Sequence, residues 1–466
     1  MHYLRLTPTL LAVLALACPA QTTPAPETSG RDERRPEQAA SVDLFGKTVE
    51  LGGSWEYTDE RRRNFDLDNV NARDRRAREH ELKLEARTRL GTNTHAFAQI
   101  VGLHETRRTQ GTDGKRVTHS AERGQMWVQQ DRIGGTPWSL QVGRVELLDR
   151  RAWWWDEDLD AIRARYDAGA WRLDTGVARE VLRKSSAERG VPPASRGVTR
   201  FFGQATWLWA PRHALDAFWL VQSDSSSRPA SGAAFANADA TDPSDLRARW
   251  LGLRATGEWR IDNGPRLAYW ADTAWLSGRE HVSAFDEQED GRFIAGATTK
   301  RRMSGNALDV GATASLALPL RPSLTVGYAR GSSGFRQTGL HENKARAGGV
   351  KRWQRYGELL QPELANLSVA SLGAGVRVLD NSSIELMTHR YRQVRASDRI
   401  AGSRLSTDPQ GSNRSLGREV NLLVAVRENK RIEFTVKASV FKPGAAFAPD
   451  RRASARAVEF GVAVNF

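Results

Sequence analysis

Basic side chains recur at even spacing along several stretches of the chain. Lys83, Arg87 and Arg89 do so in one, Arg163 and Arg165 in a second, Arg254 and Arg260 in a third. Each arginine offers a planar fork of donors that matches a carboxylate or phosphate bidentately. The 466 residues hold 69 Lys and Arg, mostly Arg, against 55 Asp and Glu, a formal charge of +14. The chemistry on offer is reversible capture of anions, with several moderate sites handing an anionic ligand onward. The competing reading is a wall of cross-strand ion pairs, with Glu81, Glu85, Asp174, Glu258 and Glu433 as counter-charges.

A second cluster follows three consecutive indoles. Trp153, Trp154 and Trp155 precede Asp156, Glu157, Asp158 and Asp160. The carboxylates read as counter-charge to Arg150, Arg151 and Arg163, or as hard oxygen ligands for a Ca²⁺ ion. The ligand spacing and glycine of an EF-hand loop are absent, so counter-charge is preferred and no metal or cofactor is expected. The indoles either stack on sugar rings or pack the segment against its support. Residues 332–367 carry Lys344, Arg346, Lys351, Arg352 and Arg355. Charge runs are usually solvated, so an outer flap is the first expectation and an inward-folded constriction the second.

Other chemistries are excluded. Cys18 is the single cysteine, so no internal disulfide or cysteine metal site exists. No G-x-S-x-G, H-E-x-x-H or P-loop pattern occurs, and an enzyme is not expected. Arg5, the apolar run Leu10–Ala17 and the A-x-A site Ala15-Leu16-Ala17 read as a secretory signal over residues 1–20, with lipidation of Cys18 as an alternative. Export removes nucleic acid as a partner. Residues 21–42, rich in Pro, Thr and charge, read as a disordered tail.

What positions the basic residues is a period of two. In 81–90, Leu82, Leu84, Ala86, Thr88 and Leu90 alternate with charged residues. Residues 251–261 and 458–466 repeat the pattern. Period two means strands with one apolar face. Eighteen such segments follow, at 47–57, 79–90, 95–106, 122–131, 137–147, 159–167, 170–182, 201–210, 212–222, 248–261, 265–277, 305–318, 323–331, 368–378, 383–393, 418–426, 431–442 and 455–466. Short connections such as GTNT (91–94), DNGP (262–265) and DNSS (380–383) interleave with long ones, among them 107–121, 148–158, 278–304 and 332–367. Interleaving, an even strand count and no apolar helix beyond the N-terminus predict an all-β protein. The expected fold is one transmembrane antiparallel barrel over 43–466, with short periplasmic turns and long outer loops. Eighteen strands enclose a lumen too wide for side chains to fill. Trp55, Tyr57, Trp138, Trp171, Trp219 and Trp275 suit interfacial girdles. Parity then puts Lys83, Arg87, Arg89, Arg144, Arg163, Arg165, Arg172, Arg254, Arg260, Arg377 and Lys437 inside the pore.

The stretch GRVELLDRRAWWWDEDLDAIRARY at 143–166 resembles the alginate export porins of the outer membrane. RYGELLQPELANLS (355–368), LGREVNLLV (416–424) and FKPGAAF (441–447) support the resemblance, which runs from about residue 43 to the end. It implies a monomeric eighteen-stranded barrel in outer-membrane lipid of a Gram-negative bacterium. Such a barrel passes a polyuronate outward, meets the periplasmic polysaccharide export machinery and performs no catalysis. On this reading Arg87, Arg144, Arg163 and Arg254 are the first pore residues, with Arg165, Arg89, Lys83 and Arg355 beside them. Trp154, Trp155, Asp156, Asp158 and Asp160 form an acidic and aromatic pore loop. A general porin for small anions or sugars is the alternative function.

Overall fold

A computed structural model describes residues 40–110, 114–226, 228–236, 241–262, 264–288, 292–429 and 431–466. The expected signal peptide lies outside the described residues, as does the expected tail apart from its last three positions. Those belong to β1 (Ala40–Leu44), which pairs with the start of β2 (Lys47–Arg63).

The wall continues through β3 (Asp74–Arg89), β4 (Thr94–Thr109), β5 (Lys115–Gln130), β6 (Trp138–Leu148), β7 (Asp156–Ala168) and β8 (Trp171–Ala178). Next come β9 (Val198–Ala210), β10 (His213–Asp224), a two-residue β11 (Ala234–Phe235), β12 (Ser244–Arg260), β13 (Arg266–Glu287) and β14 (Phe293–Ser315). The chain then forms β15 (Ser323–Gly331), the short pair β16 (Lys344–Ala345) and β17 (Trp353–Gln354), and β18 (Leu367–Leu379). It ends with β19 (Ser382–Gln393), β20 (Ser415–Val426), β21 (Ile432–Pro443) and β22 (Ala455–Asn465).

Setting aside β1, β11, β16 and β17, each strand pairs antiparallel with the next, and β22 pairs back onto β2. The result is the expected closed ring of eighteen. Closure leaves the sheet with no free outer edge strand to satisfy within lipid. The last residue completes it: Gly53 N donates to Phe466 O at 2.9 Å and Phe466 N to Gly53 O at 3.0 Å. The apolar parity of the sequence faces outward, with Leu82, Leu84, Leu251, Leu253, Val458 and Phe460 all exposed. Aromatic pairs near the short turns, such as Trp138 with Tyr166 at 5.2 Å and Trp171 with Trp207 at 5.7 Å, form one girdle.

Three expected long loops are corrected. The spans 107–121 and 278–304 continue as paired strand almost to their tips, because ladder bonds persist beyond the membrane after the apolar alternation has ended. At 148–158 only residues 149–155 leave the wall.

The lumen is packed. Leu147, Leu159, Phe202, Phe218 and Trp250 of the wall join Trp153, Trp154 and Trp155 and the loop residues Phe335, Leu340, Tyr356, Leu359, Leu360 and Leu364 in one buried cluster.

Candidate functional site

Two loops fold inward to build this interior. The first is 149–155. The Asp149 carboxylate accepts backbone N–H groups from Arg151 at 2.7 Å, Trp153 at 2.9 Å and Trp154 at 2.7 Å, winding the segment around itself. Arg254 of β12 then grips the same carboxylate, Nη1 at 2.6 Å and Nη2 at 3.3 Å. Burial alone would raise the Asp149 carboxyl. Arg254 and the loop N–H groups outweigh it and hold the group below its ordinary range, so it stays ionised.

The second is the loop 332–366, expected first as an outer flap and found inside. It leaves β15 on the outer side, yet its middle reaches wall positions beside the short turns. Gly349 N donates to Glu385 Oε1 at 3.0 Å, Val350 N to Ser383 Oγ at 3.1 Å, and Trp353 Nε1 to Glu385 Oε2 at 2.8 Å. Arg427, which directly follows β20, donates to Val350 O at 2.7 Å, and Lys351 pairs with Glu433. The loop therefore descends through the lumen to the periplasmic rim. Farther along, Glu419 accepts Leu359 N at 2.8 Å and Leu360 N at 3.0 Å. Gly357, with φ +101, is forced there: a Cβ would lie 2.2 Å from Tyr391 Oη.

The two loops meet on a charge relay set by cross-strand register. Arg254 faces Asp272, and Asp272 faces Asp309. Arg254 bonds to Asp272 as well as to Asp149. Arg151 Nε reaches Asp272 Oδ2 at 3.0 Å and its Nη2 reaches Asp309 Oδ2 at 3.4 Å. Arg355 Nη2, at 3.0 Å, and Trp270 Nε1, at 2.8 Å, converge on Asp309 Oδ1. Trp270 is flanked by two guanidinium groups, of Arg151 at 4.5 Å and Arg355 at 4.8 Å from its ring centre. A small cavity of about 50 Å³ beside Arg355, Trp270, Trp353 and Glu385 lies within this assembly.

The pore residues named from the sequence fall into distinct settings. Lys83 points inward and pairs with Glu81, with Glu56 at 3.8 Å. Arg87 lies over the Phe97 ring at 5.7 Å, and Arg89 is exposed beside a short turn. Arg163 chelates Asp174 and donates to Glu146 O at 2.9 Å, while Arg165 donates to Gln141 Oε1 at 2.6 Å. Arg254 and Arg355 belong to the relay.

Arg144 is corrected. Register puts it on the face of Val142 and Ile162, which are 45% and 58% exposed, and so away from the lumen. Its buried guanidinium lies 3.9 Å from Asp160, which Arg123 chelates at 2.6 and 2.9 Å. The parity was misleading because Val145 and Leu147, which look lipid-facing, instead pack on the indole cluster inside.

Asp156 is met by Arg352 at 3.4 Å and Asp160 by Arg123, so these carboxylates are counter-charges, though to partners other than those expected. Alternation along β7 puts Asp158 and Asp160 on the outward face rather than in a pore loop. Trp154 and Trp155 are buried against Phe218, at 4.9 and 5.5 Å, and pack the loop.

Asp149, Asp272, Asp309, Tyr356 and Glu419 were not singled out from the sequence, and Arg151 entered it only as a cation facing the acidic run. One signal was available: Asp272 and Asp309 each stand six residues from a short turn, on the lumen parity of consecutive strands.

Comparisons with known proteins agree with this architecture. The family described as Alginate export matches residues 47–460. A relative named Alginate production protein AlgE, from Pseudomonas syringae pv. tomato, is 27% identical over 348 residues, 67% of this chain and 69% of the relative. Its namesake from Pseudomonas aeruginosa is 26% identical over 350 residues, 70% of each chain. Among solved structures, P. aeruginosa OccK7 (OpdD) superposes with a TM-score of 0.54 at 13% identity, covering 90% of this chain and 99% of its own. P. aeruginosa OccD3 (OpdP) gives 0.53 at 10% identity, covering 94% and 96%. At such identities the likeness is one of fold. The family match spans the ring from its first barrel strand into its last, and the chain belongs to the alginate export family, channels of the Gram-negative outer membrane rather than enzymes.

Proposed function

We propose that this chain conducts an alginate-type polyuronate from the periplasm to the exterior, with guanidinium groups along an electropositive lumen as its stepping points. The observation that carries the reading is the state of those groups. Arg163 is held by Asp174, Arg254 by Asp149 and Asp272, and Arg355 by Asp309. A uronate carboxylate is the same chemical group as these aspartates, so a passing sugar can take an arginine's donors in exchange. Swapping one carboxylate for another leaves each arginine paired throughout, so the net free energy of an exchange is small and the sugar can let go. The packed loops keep the lumen filled until polymer displaces them, which favours a dedicated conduit over a general porin. The closed ring needs no second copy to complete its wall, and a monomer suffices.

The test is the current through purified protein in a planar bilayer, with and without mannuronate oligomers. A small anion-selective current reduced by the oligomers supports the proposal. A large non-selective current indifferent to uronates overturns it in favour of the general porin.

A further inference from the structure

Three carboxylates converge at the outer end of the wall, away from the lumen relay. Asp224 ends β10, Asp242 lies in the loop after it, and Asp245 is the second residue of β12. One oxygen from each lies within 4.8 Å of the other two. Asp224 and Asp242 are only 3% and 1% exposed.

Most of their oxygens are accounted for. Asp224 Oδ1 accepts Ser226 N at 3.0 Å and its Oδ2 accepts Leu246 N at 3.3 Å. Asp245 Oδ2 accepts Arg228 Nε at 2.5 Å, and Asp242 Oδ1 accepts Ser244 N at 3.1 Å. Asp242 Oδ2 differs: it is sealed from solvent and, among the described residues, receives no hydrogen bond. Leaving such an oxygen bare beside two further carboxylates costs several kinds of stability at once, desolvation and mutual repulsion together. Arg228 serves Asp245, and Arg247 reaches the Asp224 carbonyl at 3.3 Å. Neither bonds to Asp242.

We propose that Asp224, Asp242 and Asp245 hold a divalent cation, with Ca²⁺ the ion their chemistry suits. The donors are hard oxygens, and Ser226 Oγ, 3.4 Å from Asp245 Oδ1, adds another. An irregular set of this kind fits Ca²⁺, which accepts six to eight oxygens with loose geometry, better than Mg²⁺, which demands a near-ideal octahedron. The trio contains no imidazole or thiolate, the ligands that select transition metals. The ion ties the loop after β10 to the wall. That loop already reaches across to β14, through Arg228 Nη1 to Thr298 Oγ1 at 3.0 Å and through β11. This site is distinct from the acidic run at 156–160, whose Asp156 and Asp160 are occupied by arginines.

The test uses the full barrel refolded in detergent micelles, stripped with chelator and titrated calorimetrically with CaCl₂, and with MgCl₂ in parallel. One saturable Ca²⁺ site per chain is expected. Asp242→Asn, which keeps the volume, weakens it at least about tenfold, the order of change that losing one ligand charge brings. Asp158→Asn leaves it unchanged. Heat-modifiable migration shows in each case that the barrel is intact, and Asp245→Asn replaces Asp242→Asn if that variant does not fold. Absence of saturable binding to the unmodified chain, undiminished binding in the ligand variant, or preference for Mg²⁺ overturns the assignment.

Discussion

Asp272 and Asp309 are direct cross-strand neighbours on β13 and β14, and Arg151 bonds to both. Like charges facing each other across a ladder repel, and both are almost wholly buried. Arg151 is thus a clamp that the loop 149–155 supplies to the wall. Arg151→Met removes the cation that bridges both carboxylates and leaves Arg254 and Arg355 to hold one each, and breaking a buried pair costs about 3–5 kcal/mol. The urea midpoint followed by indole fluorescence should fall, and adding Asp309→Asn should restore much of it. An unchanged midpoint in the single variant would mean that the clamp contributes nothing.

Tyr356 links the long loop to the same aspartate. Its hydroxyl donates to Asp309 Oδ2 at 2.8 Å and accepts from Trp153 Nε1 at 2.8 Å. Tyr356→Phe removes the first bond and strands the indole N–H, a loss of about 1–3 kcal/mol. Cleavage after Lys344, Lys351 or Arg352 by a protease specific for basic residues should accelerate while the barrel itself resists. Equal cleavage rates in the two proteins would place the anchor of the loop elsewhere.

The ring was legible because its signal is local. Leu82 and Lys83, or Leu253 and Arg254, announce opposite faces by adjacency alone, and the turns supply the punctuation. The plug was not legible, because Leu359, Leu360 and Trp353 read as an ordinary loop until a lumen exists to receive them. The same blindness misplaced Arg144. Placing Arg144 in the pore would set Val145 and Leu147 against lipid by alternation, whereas the apolar phase they meet is the indole cluster inside the barrel. Asp149 escaped notice because its partner Arg254 is more than a hundred residues away in sequence.

Acidification should loosen the long loop. Burial lowers His341 to about 4 from its ordinary 6.5; Glu342 nearby acts to raise it and Arg336 to lower it further. Between those values a released loop binds a proton that the docked loop refuses. The docking stability is therefore complete above pH 6.5 and is lost as pH falls toward 4. Cleavage of the loop measured across that window should quicken on the acid side. His341→Gln should flatten the response, and a persisting slope would assign it to other groups.

Gly53 lies at the seam between the first and last barrel strands. A Cβ there would meet the Lys83 carbonyl at 2.2 Å and the Phe466 ring at 2.9 Å. Gly53→Val should therefore reduce the fraction of heat-modifiable barrel sharply, whereas Gly102→Val, whose Cβ has only a contact at 3.9 Å, should not. Normal folding of both variants would remove the seam as a determinant of closure.

Arg144 and Arg163 make different predictions although they lie in one motif. Arg163 faces the lumen with Asp174 as its partner, on the side a polymer would pass. Arg144 is buried on the outward face beside Asp160. Arg144→Glu puts a second carboxylate against a buried one, so it should deplete assembled barrel before any question of transport arises. Arg163→Glu should leave the barrel assembled and lower the uronic acid released by the cells. Exchanging the pair as Arg163→Asp with Asp174→Arg restores a cation and its counter-charge at the same depth and should recover much of the release. Two assays decide: heat-modifiable migration for assembly and secreted uronate for transport. Full assembly with reduced release in Arg144→Glu would return that residue to the pore, and unchanged release in Arg163→Glu would remove Arg163 from it.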